Sequence, residues 1–229
     1  MERRRFNSLC TALLAGAASS ARLTAAMESV PYPQSKLVYD DESPVTLASL
    51  EAGKAFIFSY PYVTTPCFLM RLDKPAQARG DWPGGIDTDQ TVVAFSAICS
   101  HKMSHPAKPI SHIAYRPKAV TFYDKSGQKQ EQQGVISCCS ERSVYDPSTG
   151  GKVLSGPAPV PLAAITLQAD NNGQIIATGS VGPDQYDRFL EKFGFRLAME
   201  HGVTDVRTRS HNISIATPAE LYSKQQVLC

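Results

Sequence analysis

The feature that most limits the fold is a succession of short β-prone runs, each closed by a glycine- or proline-bearing turn, from about residue 45 to 180. Residues 55–60 and 67–72 flank a proline-bearing turn over 61–66, and residues 91–95 form a further run that delivers Cys99 just past its end. Runs 119–123 and 134–137 flank a turn at 125–128. Runs 164–169 and 174–178 flank Asp170-Asn171-Asn172-Gly173, a hairpin signal in which Asn-Gly supplies positive φ. Residues 76–89 hold Gly80, Pro83, Gly84, Gly85 and several charges, and read as loop. Strands this short and this closely spaced imply an antiparallel arrangement, so the fold class is mainly β.

The two ends differ from this middle. Residues 27–40 are polar and proline-bearing and read as a linker. Beyond Pro183, residues 184–200 place Tyr186, Phe189, Leu190, Phe193 and Leu197 at helical spacing, with Glu191 and Lys192 on the opposite face. This predicts one amphipathic helix packed on its own sheet. Residues 205–229 show no clear pattern. The chain therefore divides into an export signal or anchor with linker (1–30), a β domain (45–180) and a C-terminal helical extension (181–229).

At the start, Arg3-Arg4-Arg5-Phe6 precedes an apolar run over 9–18, with small-residue cleavage positions at 15–17 and 24–26. A basic region before a short apolar one is an export pattern, and Arg-Arg-x-Phe matches the twin-arginine form. The apolar run is shorter than the ~20 residues that span a bilayer. The expected location is the periplasm or the periplasmic face of the inner membrane, with peripheral membrane association. A net charge of +2 and the lack of a basic stripe with interleaved aromatics argue against nucleic acid as a partner.

The chemistry sits in two loops. Cys99-Ser100-His101 puts a thiol and an imidazole two residues apart, a pair that one tight turn can present to a metal. Thirty-six residues separate His101 from the second loop, Cys138-Cys139-Ser140-Glu141-Arg142-Ser143-Val144-Tyr145-Asp146. Adjacent Cys138 and Cys139 point in different directions on an extended chain, so both cannot easily serve one site. Cys67, in an apolar run, reads as a buried small hydrophobe. Cys10 falls in the signal, and the odd remainder of five cysteines argues against a disulfide framework and gives Cys229 no role.

These loops resemble the Rieske iron–sulfur family, in which Cys-x-His and Cys-x-x-His hold a [2Fe-2S] cluster. The resemblance covers roughly residues 90–165 and includes Tyr145-Asp146-Pro147, Gly150-Gly151 and the proline loop Gly156-Pro157-Ala158-Pro159. It implies a Rieske-like antiparallel β domain with a cluster-binding subdomain. Laid without gaps on Cys-Pro-Cys-His-Gly-Ser-x-Tyr-Asp, the resemblance implies Cys99, His101, Cys138 and Glu141 as metal ligands. Ser143 and Tyr145 then fall where hydroxyls hydrogen-bond sulfur, and Pro157 lies in the loop that covers the cluster. Ser104 and Ser140 take the places of the two cysteines that join the loops in respiratory relatives.

Glu141 stands where the family has histidine. A carboxylate is a harder, anionic ligand that lowers the reduction potential. The alternatives are that His105 or His112 fills the place, that Cys139 rather than Cys138 is the ligand, or that no cluster binds. The resemblance implies a one-electron carrier subunit of an exported or membrane-associated oxidoreductase rather than a self-sufficient enzyme. Its type is ubiquinol–cytochrome c reductase-like or like the small subunit of arsenite oxidase. The expected partner is a cytochrome or a larger oxidoreductase subunit, with quinone as a further candidate, although loss of the second-loop histidine counts against direct quinol oxidation. The competing readings are a structural or partner-binding subunit that has lost the cluster, and a zinc site.

Overall fold

The computed structural model describes residues 29–182 and 184–229; the export-signal reading, with Cys10, lies outside the described residues. The chain runs through β1 (Ser29–Val38), β2 (Ala55–Ser59), β3 (Pro66–Arg71), β4 (Val92–Ser96), β5 (Ile113–Arg116), β6 (Val120–Tyr123) and β7 (Lys129–Gln132). It continues through β8 (Val135–Cys138), β9 (Ser143–Asp146), β10 (Lys152–Ser155), β11 (Ala164–Ala169) and β12 (Ile175–Val181). The C-terminal elements are α1 (Tyr186–His201), β13 (Ile213–Ile215), β14 (Thr217–Pro218) and α2 (Ala219–Tyr222). The protein is mainly β, as expected. An eight-stranded sheet has the order β13-β1-β12-β11-β4-β3-β2-β14, a four-stranded sheet the order β10-β9-β8-β5, and β6 pairs only with β7.

Side chains alternate across a strand, so one run can feed two cores. On β3 and β4, Phe68, Met70, Val93 and Phe95 face the smaller sheet, where they meet Trp82, Ile113, Ile136 and Tyr145. Their neighbours Cys67, Leu69, Val92 and Ala94 face the other way, against Leu37, Phe58, Ile165 and Ile175. The central strands are therefore buried on both faces. Each fully buried large side chain here contributes about 1.5–3 kcal/mol. Arg71 fastens the rim: it donates to the carbonyls of Leu50 (2.9 Å) and Leu47 (2.6 Å), and pairs with the Asp87 carboxylate at 2.6 Å.

β11 pairs with β4. The chain between them, which carries both cysteine loops and the whole smaller sheet, thus leaves the large sheet and returns to the adjacent position. That insertion is what holds the two loops against each other.

The structure corrects several expectations. Residues 29–38 form β1, not linker; the strand pairs with β12 and β13, and its two prolines sit where the β12 register shifts between Pro31 and Ser35. A bulge tolerates proline because no ladder donor is needed there. The run 119–123 does not pair across its turn with 134–137. β6 pairs with β7, which alternates polar side chains, while β8 pairs with β5. β5 is not legible in the sequence because its four residues, though followed by Pro117, are too few to show a period.

The helix forms as its spacing predicts and stops at Gly202, where φ is 63° and the chain turns left-handed. Tyr186, Phe189, Leu190 and Leu197 pack against Tyr62, Ile98 and Met103, so the helix braces the first cysteine loop as well as the sheet. The tail that showed no pattern adds β13 in parallel to β1 and β14 to β2. Such short edge strands carry too few residues for a period to show.

Candidate metal centre

The first loop leaves β4 and folds back on itself. The Cys99 amide donates to the Ser104 carbonyl (2.9 Å), and the Met103 amide donates to the Cys99 carbonyl (2.9 Å). Met103 adopts φ 60° to close the turn. Gln185, at the start of α1, donates to the Ser100 carbonyl at 2.9 Å and holds the loop from outside.

The second loop is the turn between β8 and β9. Cys138 ends β8 and pairs with Ser143, which opens β9. Arg142 takes φ 57° to turn the chain. Tyr145 follows Ser143 by two residues and so lies on the same face. A third loop lies against this turn. Gly156 sits so close that a Cβ there would be 2.5 Å from the Arg142 carbonyl oxygen and 2.6 Å from the Ser143 Cα. Ser100 Oγ donates to the Val160 carbonyl at 2.6 Å and ties the third loop to the first. Pro157 faces solvent; the loop approaches the pocket through the backbone of Gly156 and Val160.

Two donor pairs meet between these loops. Cys99 and Cys138 are buried free thiols that lie close enough to shift each other's titration. The Cys138 thiol is the main cause that lowers Cys99 to about 6, against the opposing effect of burial, with help from the Tyr145 hydroxyl and the backbone of His101 and Lys102. Cys138 is pushed up, first by the proton it shares with Cys99 and then by burial. Tyr145 Oη lies 3.2 Å from Cys99 Sγ and 3.3 Å from Ser100 Oγ and accepts from the Ser100 amide at 3.1 Å, so its own proton faces the sulfur and the serine oxygen. Burial first, then the Cys99 charge, raise the tyrosine pKa and keep that proton in place.

The second pair is His101 and Glu141. His101 Nδ1 is buried, has no hydrogen-bond partner and lies 3.3 Å from Glu141 Oε2. The other carboxylate oxygen pairs with Lys102, which holds Glu141 below the usual carboxylate range. Among the described residues, no three His, Cys, Asp or Glu side chains gather round one point. The donors come as two pairs. Ser143 Oγ, buried beside them, also lacks a partner.

The other candidates lie elsewhere. His105 Nδ1 donates to the Met103 carbonyl (2.9 Å), and its ring packs on Phe189 and Phe193 at 4.7 and 5.1 Å, toward the helix. The His112 carbonyl accepts from the Cys139 amide at 2.6 Å. Cys139 forms a disulfide with Cys229, which corrects the reading that gave Cys229 no role. The odd count concealed this pair, because Cys67, Cys99 and Cys138 remain free. Cys67 is buried, as expected, and donates to the Tyr60 carbonyl at 3.0 Å. Ser104 Oγ and Ser140 Oγ are 2.7 Å apart, so a hydrogen bond joins the loops at that point. Lys102, overlooked in the sequence, stands next to His101 and answers the charge of Glu141.

No family model matches the chain. Among solved structures, it is similar to the soluble domain of the Rieske protein II (soxF) from Sulfolobus acidocaldarius, with 24% sequence identity over 67% of this chain and 82% of that one and a TM-score of 0.45. A likeness of that size assigns no role to any residue.

Proposed function

We propose that this chain is a Rieske-type one-electron carrier, with Cys99 and Cys138 binding one iron of a [2Fe-2S] cluster and His101 and Glu141 the other. The observation that carries this reading is the division of the donors into a thiol pair and a His–carboxylate pair, bordered by two buried polar atoms without partners. A single zinc ion asks for three or four donors round one point. A binuclear cluster asks for two sets of two. The unpartnered Nδ1 of His101 suits a metal, and the unpartnered hydroxyl of Ser143 suits a sulfide acceptor.

When bound, such a cluster takes up and releases one electron. The protein's own part is to set the conditions. Tyr145 holds its proton at Cys99 Sγ, which favours the more negative, reduced form. Glu141 opposes that by adding charge, and Lys102 partly offsets it. The loops exclude water from the thiols. The chain acts as a subunit that exchanges electrons with a cytochrome or a larger oxidoreductase, at the periplasmic face of a membrane. The Cys139–Cys229 disulfide supports an oxidising compartment.

The test is iron and sulfide analysis of protein purified without oxygen, with EPR of the reduced state. Two irons and two sulfides per chain are expected. In Glu141→His, replacing an anionic ligand by a neutral one raises the midpoint potential and shifts the EPR spectrum. An unchanged spectrum and potential would remove Glu141 from the ligand set. A second reading, a partner-binding subunit without a cluster, is favoured by the Lys102–Glu141 pair, which satisfies the carboxylate with no metal. Protein that holds neither iron nor sulfide, even after reconstitution, would establish it.

A further inference from the structure

The last residues of the chain run between the two cysteine loops. Ser223 Oγ donates to the Ala107 carbonyl (2.7 Å), and the Lys224 amide donates to the Lys108 carbonyl (2.9 Å), both just beyond the first loop. The tail then pairs with Ser111, whose amide donates to Gln225 (2.8 Å) and whose carbonyl accepts from Val227 (2.9 Å). It ends on the second loop, where Cys229 is bonded to Cys139 with the two Cα atoms 5.6 Å apart. The Cys139 amide is itself held by the His112 carbonyl, next to the tail's pairing partner. The tail therefore spans from the exit of one loop to the turn of the other.

The disulfide is the covalent end of this strap, and it is placed for exchange. Cys229 is exposed and Cys139 partly exposed, whereas Cys67, Cys99 and Cys138 are buried. An external dithiol therefore reaches this bond while the buried thiols stay shielded. Cys139 is covalently adjacent to Cys138 and two residues from Glu141, so whatever holds Cys139 also fixes the turn that presents both.

We propose that the Cys139–Cys229 disulfide is a thiol-operated latch that holds the second loop through the C-terminal tail. A thiolate of a dithiol attacks Cys229 Sγ, a mixed disulfide forms and Cys139 leaves as thiolate, which takes up a proton. The second thiol of the reagent then displaces Cys229, so the chain gains two thiols and the reagent becomes a disulfide. The chain gains two electrons and two protons, and the reagent loses them. Opening frees the tail and loosens residues 139–142. The latch concerns the tail and this turn whether or not iron is bound.

The test uses the full chain, air-purified, with and without dithiothreitol. Differential alkylation and peptide mass mapping should find Cys139 joined to Cys229 before reduction and both alkylated after it. Amide hydrogen exchange at Cys139 and Val227 should quicken at least tenfold on reduction, and Cys229→Ser should show the fast rates without reductant. Free Cys139 and Cys229 thiols in the air-purified protein would overturn the proposal. So would exchange rates that neither reduction nor Cys229→Ser changes, since the backbone bonds alone would then hold the tail. Iron and sulfide are measured on the same samples, so loss of the cluster reading is seen separately from the thiol map.

Discussion

Tyr145 is the residue on which the electrostatics of the pocket turn. It accepts from the Ser100 amide and turns its proton toward Cys99 Sγ and Ser100 Oγ, so one hydroxyl joins the backbone of the first loop to a thiol. Tyr145→Phe removes that donor and leaves the ring volume nearly unchanged. In metal-free protein the Cys99 thiol should then titrate higher, because one of the hydrogen bonds that lower it is gone. The rate of alkylation against pH measures this directly, and a curve that does not move would contradict it. In the iron-loaded protein the same change should lower the midpoint potential, by tens of millivolts on the order expected for a lost hydrogen bond to sulfur.

Much of this pocket was legible residue by residue. The structure brings Cys99 beside Cys138 and His101 beside Glu141 as two separate pairs, and the two serines Ser104 and Ser140 face each other as the paired replacement implies. Lys102 and Cys229 were not legible. Lys102 sits between two recognisable residues and carries no pattern of its own. Cys229 lies 90 residues from its partner, and only folding brings them together.

At the scale of elements, α1 does more than cover a sheet. Phe189 is fully buried against Tyr62 and against Ile98 and Met103 of the first loop. Phe189→Ala should destabilise the protein by about 3–5 kcal/mol, read as a lowered midpoint of denaturant unfolding. The loss should also be felt beside Cys99, because the cavity opens against the loop's own side chains. The helix was visible in the sequence because its apolar spacing, from Tyr186 to Leu197, extends over about three turns. The strands β13 and β14 were not, because two or three residues hold no period. The linker reading of residues 27–40 is corrected for a different reason: prolines read as breakers, but Pro31 and Pro33 sit at the edge and inside of the register shift between Pro31 and Ser35.

For the whole molecule, the buried histidines His105 and His201 make stability fall in mild acid, and His105 is the more deeply buried of the two. Burial against the helix aromatics lowers its pKa below the ordinary 6.5. At this residue the unfolded chain binds a proton at a higher pH than the folded one, so the contribution of His105 to stability is complete above about 6.5 and declines as the pH falls toward the folded value. Thermal melts between pH 8 and 5 should show this decline. His105→Gln, which keeps a donor but cannot titrate, should flatten the part due to His105, while that due to His201, also lowered by burial, remains.

Gly156 sets one further limit on the whole assembly. Since a single added carbon would collide with the Arg142 carbonyl and the Ser143 backbone, the third loop lies at a spacing that only glycine permits. The insulation between pocket and solvent on that side is thus one backbone thick, and its thickness is fixed by an atom the chain does not have. Gly156, Pro157 and Pro159 are the exposed residues on the outer side of this loop. The closeness of its contact with the second loop is therefore a property of a single residue, Gly156.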